Sequence, residues 1–240
     1  MIPNNIFQTH KSIDYIKKYP KLIYAMNTWR NNKHFNYYFS DDSSCDIFMK
    51  LYFPEIKDVY DRLPLKVMKA DLWRYCIIYK YGGIYADIDT IAKLDPSYLI
   101  NQKGKDLIVV PEDNIHFCQW VFAAPKSSPI LKSIIDLSVD RIRNTKIIKG
   151  DHIVHYLTGP GVFTDGILKY MNENNIKNLG NLSHDGISKY DNRNIIKYEK
   201  NFIDNMFVFK SNYFHKKMVF HIGSGSWING WKNETNRLLK

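Results

Sequence analysis

A ten-residue segment, 81–90, most constrains the fold, because an apolar and aromatic strand sequence ends there in two aspartates one residue apart. Alternate residues of a strand share a face, so the pattern predicts that Asp87 and Asp89 point to one side and that Ile88 packs on the other. Two like charges on one side favour a cation between them. Mg²⁺ and Mn²⁺ prefer oxygen ligands and are often held by carboxylates together with substrate phosphates. The segment therefore predicts a site for a divalent metal and a diphosphate.

Strands and helices are predicted to alternate along most of the chain. Apolar spacing and turn residues indicate strands over residues 2–8, 35–39, 106–110 and 120–124, and helices over residues 14–29, 45–53, 64–81 and 129–143. Farther on, we expect a helix over 161–172, a polar surface loop over 172–194 and short strands over 195–198, 206–209 and 218–222. Alternation of this kind predicts an α/β layer structure with a mainly parallel central sheet.

Charge and composition limit the partners and the compartment. The net charge of +10 favours anionic partners such as a nucleotide diphosphate, an anionic lipid surface or nucleic acid, although a lysine-rich solvated surface would also account for it. The three cysteines form no CxxC pair, which favours a reducing compartment. The N-terminal residues lack the pattern of a signal peptide, and no window has the roughly 18 apolar residues of a membrane span. We therefore expect a cytoplasmic protein that contacts membranes only peripherally, at the inner surface.

A charged pair lies in the predicted helix that precedes the acidic strand. Asp71 and Arg74 are three residues apart and are therefore neighbours on one helix face. The pair could form a surface salt bridge, but this helix is apolar almost all round, and a charged pair in such surroundings requires a partner or a function. An arginine beside a diphosphate neutralises it and can hold two of its oxygens. We therefore expect the pair to face a ligand.

Two sequence motifs together resemble one enzyme family. Residues 69–75, KADLWRY, are followed by residues 81–89, YGGIYADID. This arrangement resembles the DXD-containing sugar-binding region of the glycosyltransferases that include yeast Golgi α-1,6-mannosyltransferases, bacterial capsule and surface-polysaccharide transferases and, more distantly, clostridial glucosylating toxins. Residues 2–9 are similar to the first strand of that family. The resemblance covers the first hundred residues well and the remainder loosely.

The resemblance implies a GT-A fold, a Rossmann-like α/β sandwich that binds a nucleotide sugar. We expect a single domain over residues 1–240, in which residues 1–125 bind the donor and residues 126–240 supply the acceptor side and a closing C-terminal segment. In such enzymes, the positions matched by Asp71 and Arg74 contact the donor sugar and diphosphate. Asp87 matches a carboxylate that faces the ribose, the sugar and the metal, and Asp89 matches the main metal ligand.

Further residues are assigned by the same resemblance. His221 is the candidate third metal ligand, since imidazole suits Mn²⁺, although a single histidine in a strand is often only a packed residue. Gln119 takes the place of an asparagine that relatives commonly carry, and the TGPG sequence at 158–161 matches an element that begins a helix near the site. The residues expected to contact the donor are Gln8, Thr9, His10, Asp71, Arg74, Gly83, Tyr85, Asp87, Ser226 and Trp227.

The function implied is metal-dependent, retaining transfer of a hexose or N-acetylhexosamine from a UDP- or GDP-sugar to a hydroxyl of a glycan, glycolipid or protein-linked acceptor, as in polysaccharide biosynthesis. Mn²⁺ or Mg²⁺ would be held by Asp87, Asp89 and His221, and the catalytic residues would be Asp87, Asp89, Arg74 and Gln119. Two alternatives are a nucleotide-sugar hydrolase and a non-catalytic protein that binds nucleotides or nucleic acid. Nucleic acid is not expected as a partner, because the lysines are dispersed and no nucleic-acid motif is present.

Overall fold

The computed structural model describes residues 1–102, 104–113, 115–148, 152–175, 202–203 and 206–222. Within these ranges the chain forms a seven-stranded sheet and a separate two-stranded sheet. Apolar clusters that include helix residues cover both faces of the large sheet. The predicted α/β layer architecture is confirmed.

The strands of the described residues are β1 (Asn5–Thr9), β2 (Asn36–Ser40), β3 (Gly83–Ala86), β4 (Thr90–Ala92), β5 (Leu107–Val109), β6 (Val121–Ala124), β7 (Phe202–Ile203), β8 (Met206–Val208) and β9 (Val219–His221). The large sheet has the order β2-β1-β3-β6-β5-β8-β7. Strands β6 and β7 run against the other five, so the sheet is mainly parallel, as predicted. Strands β4 and β9 form the small antiparallel sheet.

The helices in the same ranges are α1 (Ile13–Lys17), α2 (Pro20–Arg30), α3 (Asp42–Tyr52), α4 (Lys57–Asp61), α5 (Lys66–Tyr81), α6 (Ser97–Ile100), α7 (Pro129–Asn144), α8 (Ile153–Leu157), α9 (Pro160–Glu173) and α10 (Ser211–Tyr213). Short 3₁₀ and π segments cover Pro54–Ile56 and Phe214–Met218. Side chains cap the starts of three helices: Ser12 accepts from the Tyr15 N–H before α1, Asp41 accepts from the Ser44 N–H before α3, and Ser128 accepts from the Leu131 N–H before α7.

The structure corrects several predicted elements. The single helix expected over 14–29 is wrong, because α1 ends at Lys17 and α2 begins at Pro20, where proline has no N–H to continue a preceding helix. Strand β1 begins at Asn5, three residues later than expected. The strand β4 was not predicted. Most of the loop expected over 172–194, and the strand expected over 195–198, lie outside the described residues.

Successive residues of the central strands face opposite apolar layers. In β3, Ile84 and Ala86 pack with one cluster and Tyr85 with the other. In β1, Ile6 and Phe7 divide in the same way, as strand geometry requires. A sheet that is covered on both faces holds its strand ends in fixed positions, which matters for the residues that follow β1 and β3. None of the helices described here is long and apolar enough to cross a membrane.

Two glycines let the end of α5 pass over the start of β1. Gly82 has φ 69° and Gly83 has φ 128°, both in the region that side chains with a Cβ rarely adopt. A Cβ on Gly83 would lie 2.5 Å from the Asn5 carbonyl oxygen. The close approach of α5 to β1 therefore requires glycine, and it directs the chain into β3 beside β1.

Candidate active site

Two aspartates lie in a tight turn at the carboxyl end of β3. The strand ends at Ala86, and residues 87–89 turn the chain into β4. The backbone carbonyl of Asp87 accepts hydrogen bonds from the Thr90 N–H at 3.1 Å and from the Thr90 hydroxyl at 2.6 Å. The Asp87 N–H donates to the Trp120 carbonyl at 2.8 Å. These backbone bonds fix the turn against the sheet.

The turn, and not strand alternation, brings the two carboxylates together. The expectation that the strand extends through Asp87 and Asp89 is wrong, because β3 stops one residue before Asp87. Ile88 packs with Ile16 and Met26 of α1 and α2 in an apolar cluster of its own. Burial of this one side chain between two charged neighbours anchors the turn.

Asp87, Asp89 and His221 form a group of metal-ligand type. One oxygen from each carboxylate and one imidazole nitrogen all lie within 4.8 Å of one another. His221 reaches the turn because β9 pairs with β4 in the register Thr90↔His221, and its Nε2 lies 3.4 Å from Asp89 Oδ1. Carboxylate oxygens with one imidazole are a donor set that suits Mn²⁺, and Mg²⁺ through its oxygens. These residues therefore fit a divalent cation.

A buried arginine lies between the helix carboxylate and the turn. Arg74 Nη2 is 2.8 Å from Asp71 Oδ1 and 3.4 Å from Asp87 Oδ1. The Arg74 guanidinium lies 4.6 Å from the centre of the Tyr85 ring. The Tyr85 hydroxyl donates to Asp87 Oδ1 at 2.5 Å, so Tyr85 positions both charged groups. The pair expected from the sequence is thus joined directly to Asp87.

Carboxylates outnumber cations around Arg74. Burial raises the pKa of Asp71 to about 7, and Arg74 acts in the opposite direction. Burial also raises the pKa of Asp87, again opposed by Arg74, while Asp89 raises it further. The pKa of Arg74 is raised, because Asp87, Tyr85 and Asp71 together outweigh the lowering effect of burial. One guanidinium faces three carboxylates, two of which have raised pKa values, and a bound cation would favour their ionised forms.

Gln119 and Thr158 hold Asp71 from the other side. The Thr158 hydroxyl donates to Asp71 Oδ2 at 3.1 Å, and Gln119 Nε2 donates to Asp71 Oδ1 at 3.5 Å. The Tyr75 hydroxyl donates to Gln119 Oε1 and also lies 2.7 Å from the Thr158 carbonyl oxygen. The nitrogen and the oxygen of the Gln119 side-chain amide therefore both form hydrogen bonds within the protein. The part played by Tyr75 was not foreseen, because it depends on a contact across 83 residues.

The residues expected at the nucleoside differ in their accessibility. Gln8 is fully buried and donates from Nε2 to the Asp87 carbonyl at 3.1 Å. Thr9 is also buried and donates to the Ser40 carbonyl at 2.7 Å. His10 is partly exposed, stacks on Tyr15 with ring centres 5.0 Å apart, and has its pKa lowered, mainly by burial. Gln8 and Thr9 therefore hold the backbone, and His10 is the most accessible of the three.

Of the three other expected donor contacts, the structure describes only Gly83, and it is not part of this group. Gly83 begins β3, at the end opposite Asp87, and is packed against Asn5. Its place in the structure is explained by the close approach of α5 to β1. Ser226 and Trp227 lie outside the described residues.

Comparisons with known proteins agree on one class of protein. Residues 4–105 match the family model described as a glycosyltransferase sugar-binding region containing a DXD motif. The initiation-specific alpha-1,6-mannosyltransferase of Candida albicans is 30% identical over 207 residues, which cover 71% of this chain and 53% of that protein. The protein of the same name from Schizosaccharomyces pombe is 31% identical over 139 residues, covering 49% of this chain and 35% of that protein. The chain thus spans about half, or less, of these relatives.

A viral relative and a solved structure extend the comparison. An uncharacterized glycosyltransferase of Acanthamoeba polyphaga mimivirus is 34% identical over 96 residues, covering 39% of this chain and 38% of that protein. The solved structure titled PaToxG glycosyltransferase superposes with a TM-score of 0.52 at 20% identity, covering 71% of this chain and 70% of that chain. This likeness confirms the predicted fold class. Over residues 4–105 the chain is thus similar to the family of glycosyltransferase sugar-binding regions that contain a DXD motif.

Proposed function

We propose that this protein is a metal-dependent glycosyltransferase that moves a sugar from a nucleotide-diphosphate donor to a hydroxyl group. The observation that carries the proposal is the convergence of Asp87, Asp89 and His221 within 4.8 Å, next to Arg74, which is 3.4 Å from Asp87. Asp87, Asp89 and His221 would hold Mn²⁺ or Mg²⁺. When bound, the ion would supply Lewis-acid stabilisation of the diphosphate leaving group. The similarity of residues 4–105 to that family supports the same chemistry.

The protein's own residues contribute fixed charge and position. Arg74 is held by Asp71 at 2.8 Å and by the Tyr85 ring, so its charge needs no rearrangement when negative charge grows on the diphosphate. Asp71 is in turn held by Thr158 and Gln119. Gln119 therefore acts in this proposal as a positioning residue. His10, partly exposed beside Tyr15, is left as the residue that meets the nucleoside.

We propose retention of anomeric configuration through attack on the same face of the sugar. The bond between the anomeric carbon and the phosphate oxygen breaks, and a bond from the acceptor oxygen to that carbon forms on the side that the phosphate leaves. The acceptor proton passes to the departing phosphate oxygen. This route uses no protein nucleophile, and the support for it is the resemblance described above.

Mannose is the first donor sugar to test, because the two yeast relatives are named as mannosyltransferases. The acceptor would be a hydroxyl of a glycan, a glycolipid or a protein-linked sugar. We further propose synthesis in the cytoplasm with contact to an anionic membrane, which the net charge of +10 supports. Cosedimentation with vesicles that contain phosphatidylserine tests this contact; equal recovery with neutral vesicles would contradict it.

The decisive experiment is a donor screen by release of nucleotide diphosphate. UDP- and GDP-sugars are incubated with the protein, with and without Mn²⁺, and with a mixture of sugar acceptors. One donor should give metal-dependent release that rises when an acceptor is added. Asp89→Asn should remove that activity, and the exposed Asp58→Asn should keep it. Release that is equal with and without every acceptor would indicate hydrolysis, and activity retained in Asp89→Asn would contradict the proposed metal site.

A further inference from the structure

Asp113, His116 and His155 form a chain of polar contacts that the proposed function does not use. Asp113 and His116 lie in the connection between β5 and β6, which is closed by a hydrogen bond from the Glu112 N–H to the His116 carbonyl at 2.9 Å. His155 belongs to α8, directly before the TGPG sequence that contacts Asp71 through Thr158. Two imidazoles from separate segments therefore meet beside the candidate active site.

Asp113 fixes the orientation of the His116 ring. Its Oδ1 accepts the backbone N–H groups of Ile115 and His116, each at 2.7 Å. Its Oδ2 lies 2.9 Å from His116 Nδ1. A carboxylate in this position keeps the proton on Nδ1 and leaves the Nε2 lone pair directed away from it. Histidines that bind metals are commonly held by a carboxylate in this manner.

The His155 ring brings a second nitrogen to the same place. His155 Nε2 is 3.0 Å from His116 Nε2, and the ring planes meet at 86°. Zn²⁺ with bonds of about 2.0–2.1 Å at tetrahedral angles places two nitrogens about 3.3 Å apart, so the two rings would separate by a few tenths of an ångström and exchange their mutual hydrogen bond for bonds to the ion.

We propose that His116 and His155 form a second metal site, which takes a borderline-soft divalent cation such as Zn²⁺. Two imidazoles backed by a carboxylate favour such an ion over Mg²⁺, which prefers the oxygen-rich group at Asp87 and Asp89. Water would complete the coordination. A bound ion would connect the β5–β6 segment to α8 and so stiffen the segment that carries Thr158.

The test counts metal ions and does not depend on turnover. The tag-free 240-residue protein with Asp89→Asn is titrated with Zn²⁺ by calorimetry, and bound zinc is counted after dialysis. One equivalent should bind. His116→Ala and His155→Ala should each weaken binding at least about 100-fold, and Asp113→Asn about 10–100-fold. The exposed His34→Ala serves as the matched control and should bind normally.

A second measurement separates loss of the site from loss of the fold. The far-ultraviolet circular dichroism spectrum of each variant should match that of the parent, which here is the Asp89→Asn protein. Co²⁺ added to this parent should give the visible absorption of a nitrogen-bound ion, and His155→Ala should lack that absorption. The proposal is overturned if zinc binds equally well to His116→Ala and His155→Ala, or if no zinc binds to the parent below about 100 µM, a concentration at which binding is already weak. Failure here would leave the proposed glycosyl transfer untouched, because that proposal rests on Asp87, Asp89 and His221.

Discussion

At the scale of single residues, Arg74 carries the charge balance of the candidate site. It is buried, yet its guanidinium contacts carboxylates on both the preceding helix and the turn after β3. The guanidinium of arginine is planar and forked, and this shape lets one buried side chain contact two carboxylates at the same time. The contacts with Asp71 and Asp87 that stabilise the arginine also hold its positive charge where the proposed diphosphate would lie.

Replacing Arg74 by lysine tests this geometry. Lysine keeps the charge but cannot reach Asp71 and Asp87 together with one forked group, so Arg74→Lys should lower kcat at least about 100-fold while the protein stays folded. Steady-state kinetics with the donor found in the screen provides the measurement. Arg143→Lys, at an exposed position, is the matched control. Turnover close to that of the parent would show that the bridge to both carboxylates is dispensable.

His155 gives a pH dependence of stability with a defined sign. Its pKa falls from 6.5 to about 4 on folding, because of burial and of His116 and His152, with Arg141 in the same direction and Asp113 opposing. As the pH decreases from 6.5 to 4, the unfolded chain gains a proton that the folded protein does not, so stability is lost in that window, by about 2–3 kcal/mol. With both proteins free of metal, the His155→Gln variant should lose less unfolding free energy than the parent protein over the same pH window.

Urea denaturation at pH 7 and pH 4.5 measures the difference. The change in unfolding free energy between the two pH values is compared within each protein, so a constant effect of the substitution cancels. His34→Gln, at an exposed position, should behave like the parent. An acid sensitivity of His155→Gln equal to that of the parent would contradict the lowered pKa.

At the scale of elements, the junction between α5 and β3 is the most tightly specified part of the fold. Gly83→Ala should destabilise the protein by at least about 3 kcal/mol, because backbone strain adds to a clash with the Asn5 carbonyl, which a Cβ would approach to 2.5 Å. Gly104→Ala is the matched control: φ is 70° there, but no atom of the described residues, apart from those next to it in sequence, lies within 4 Å of the added Cβ. Its cost should be only about 1–2 kcal/mol. Chemical denaturation distinguishes the two, and equal costs would disprove the clash.

The same elements show how far the sequence predicts the structure. Strong apolar periodicity predicts α5 and α7 to within a few residues of Lys66–Tyr81 and Pro129–Asn144. The three-residue strand β4 escapes prediction, because the strand that it pairs with in the described part of the chain is β9, far along the sequence. The aspartates are identifiable from their spacing, whereas the turn that holds them depends on hydrogen bonds to Trp120 and Thr90. Contacts between distant segments, such as His116 with His155, leave no local signal.

At the scale of the whole molecule, the candidate metal site joins segments that are far apart in sequence. Asp87 and Asp89 follow β3, whereas His221 ends β9. The Ile222 N–H donates to the Asp89 carbonyl at 2.9 Å, so the backbone and the side chains meet at the same place. A metal ion bound there would connect the turn after β3 to the C-terminal end of the described chain and would stabilise only the folded state.

Metal binding should therefore raise global stability. Mn²⁺ at 100 times its dissociation constant should add about 2.7 kcal/mol to the unfolding free energy. Thermal unfolding with Mn²⁺ and with EDTA is the measurement. Asp89→Asn and His221→Ala should lose the increase, and the exposed Asp58→Asn should keep it. An equal increase in all four proteins would place the bound ion elsewhere.

The pairing of β4 with β9 also sets the order in which the site can form during synthesis. A nascent chain that has emerged as far as Ala124 already contains β1, β3 and β6, which are adjacent in the sheet, together with both aspartates. It still lacks His221 and the backbone that secures the Asp89 carbonyl. The N-terminal strands can therefore assemble on the ribosome well before the metal-binding group is complete, and the proposed activity has to wait until synthesis has passed His221.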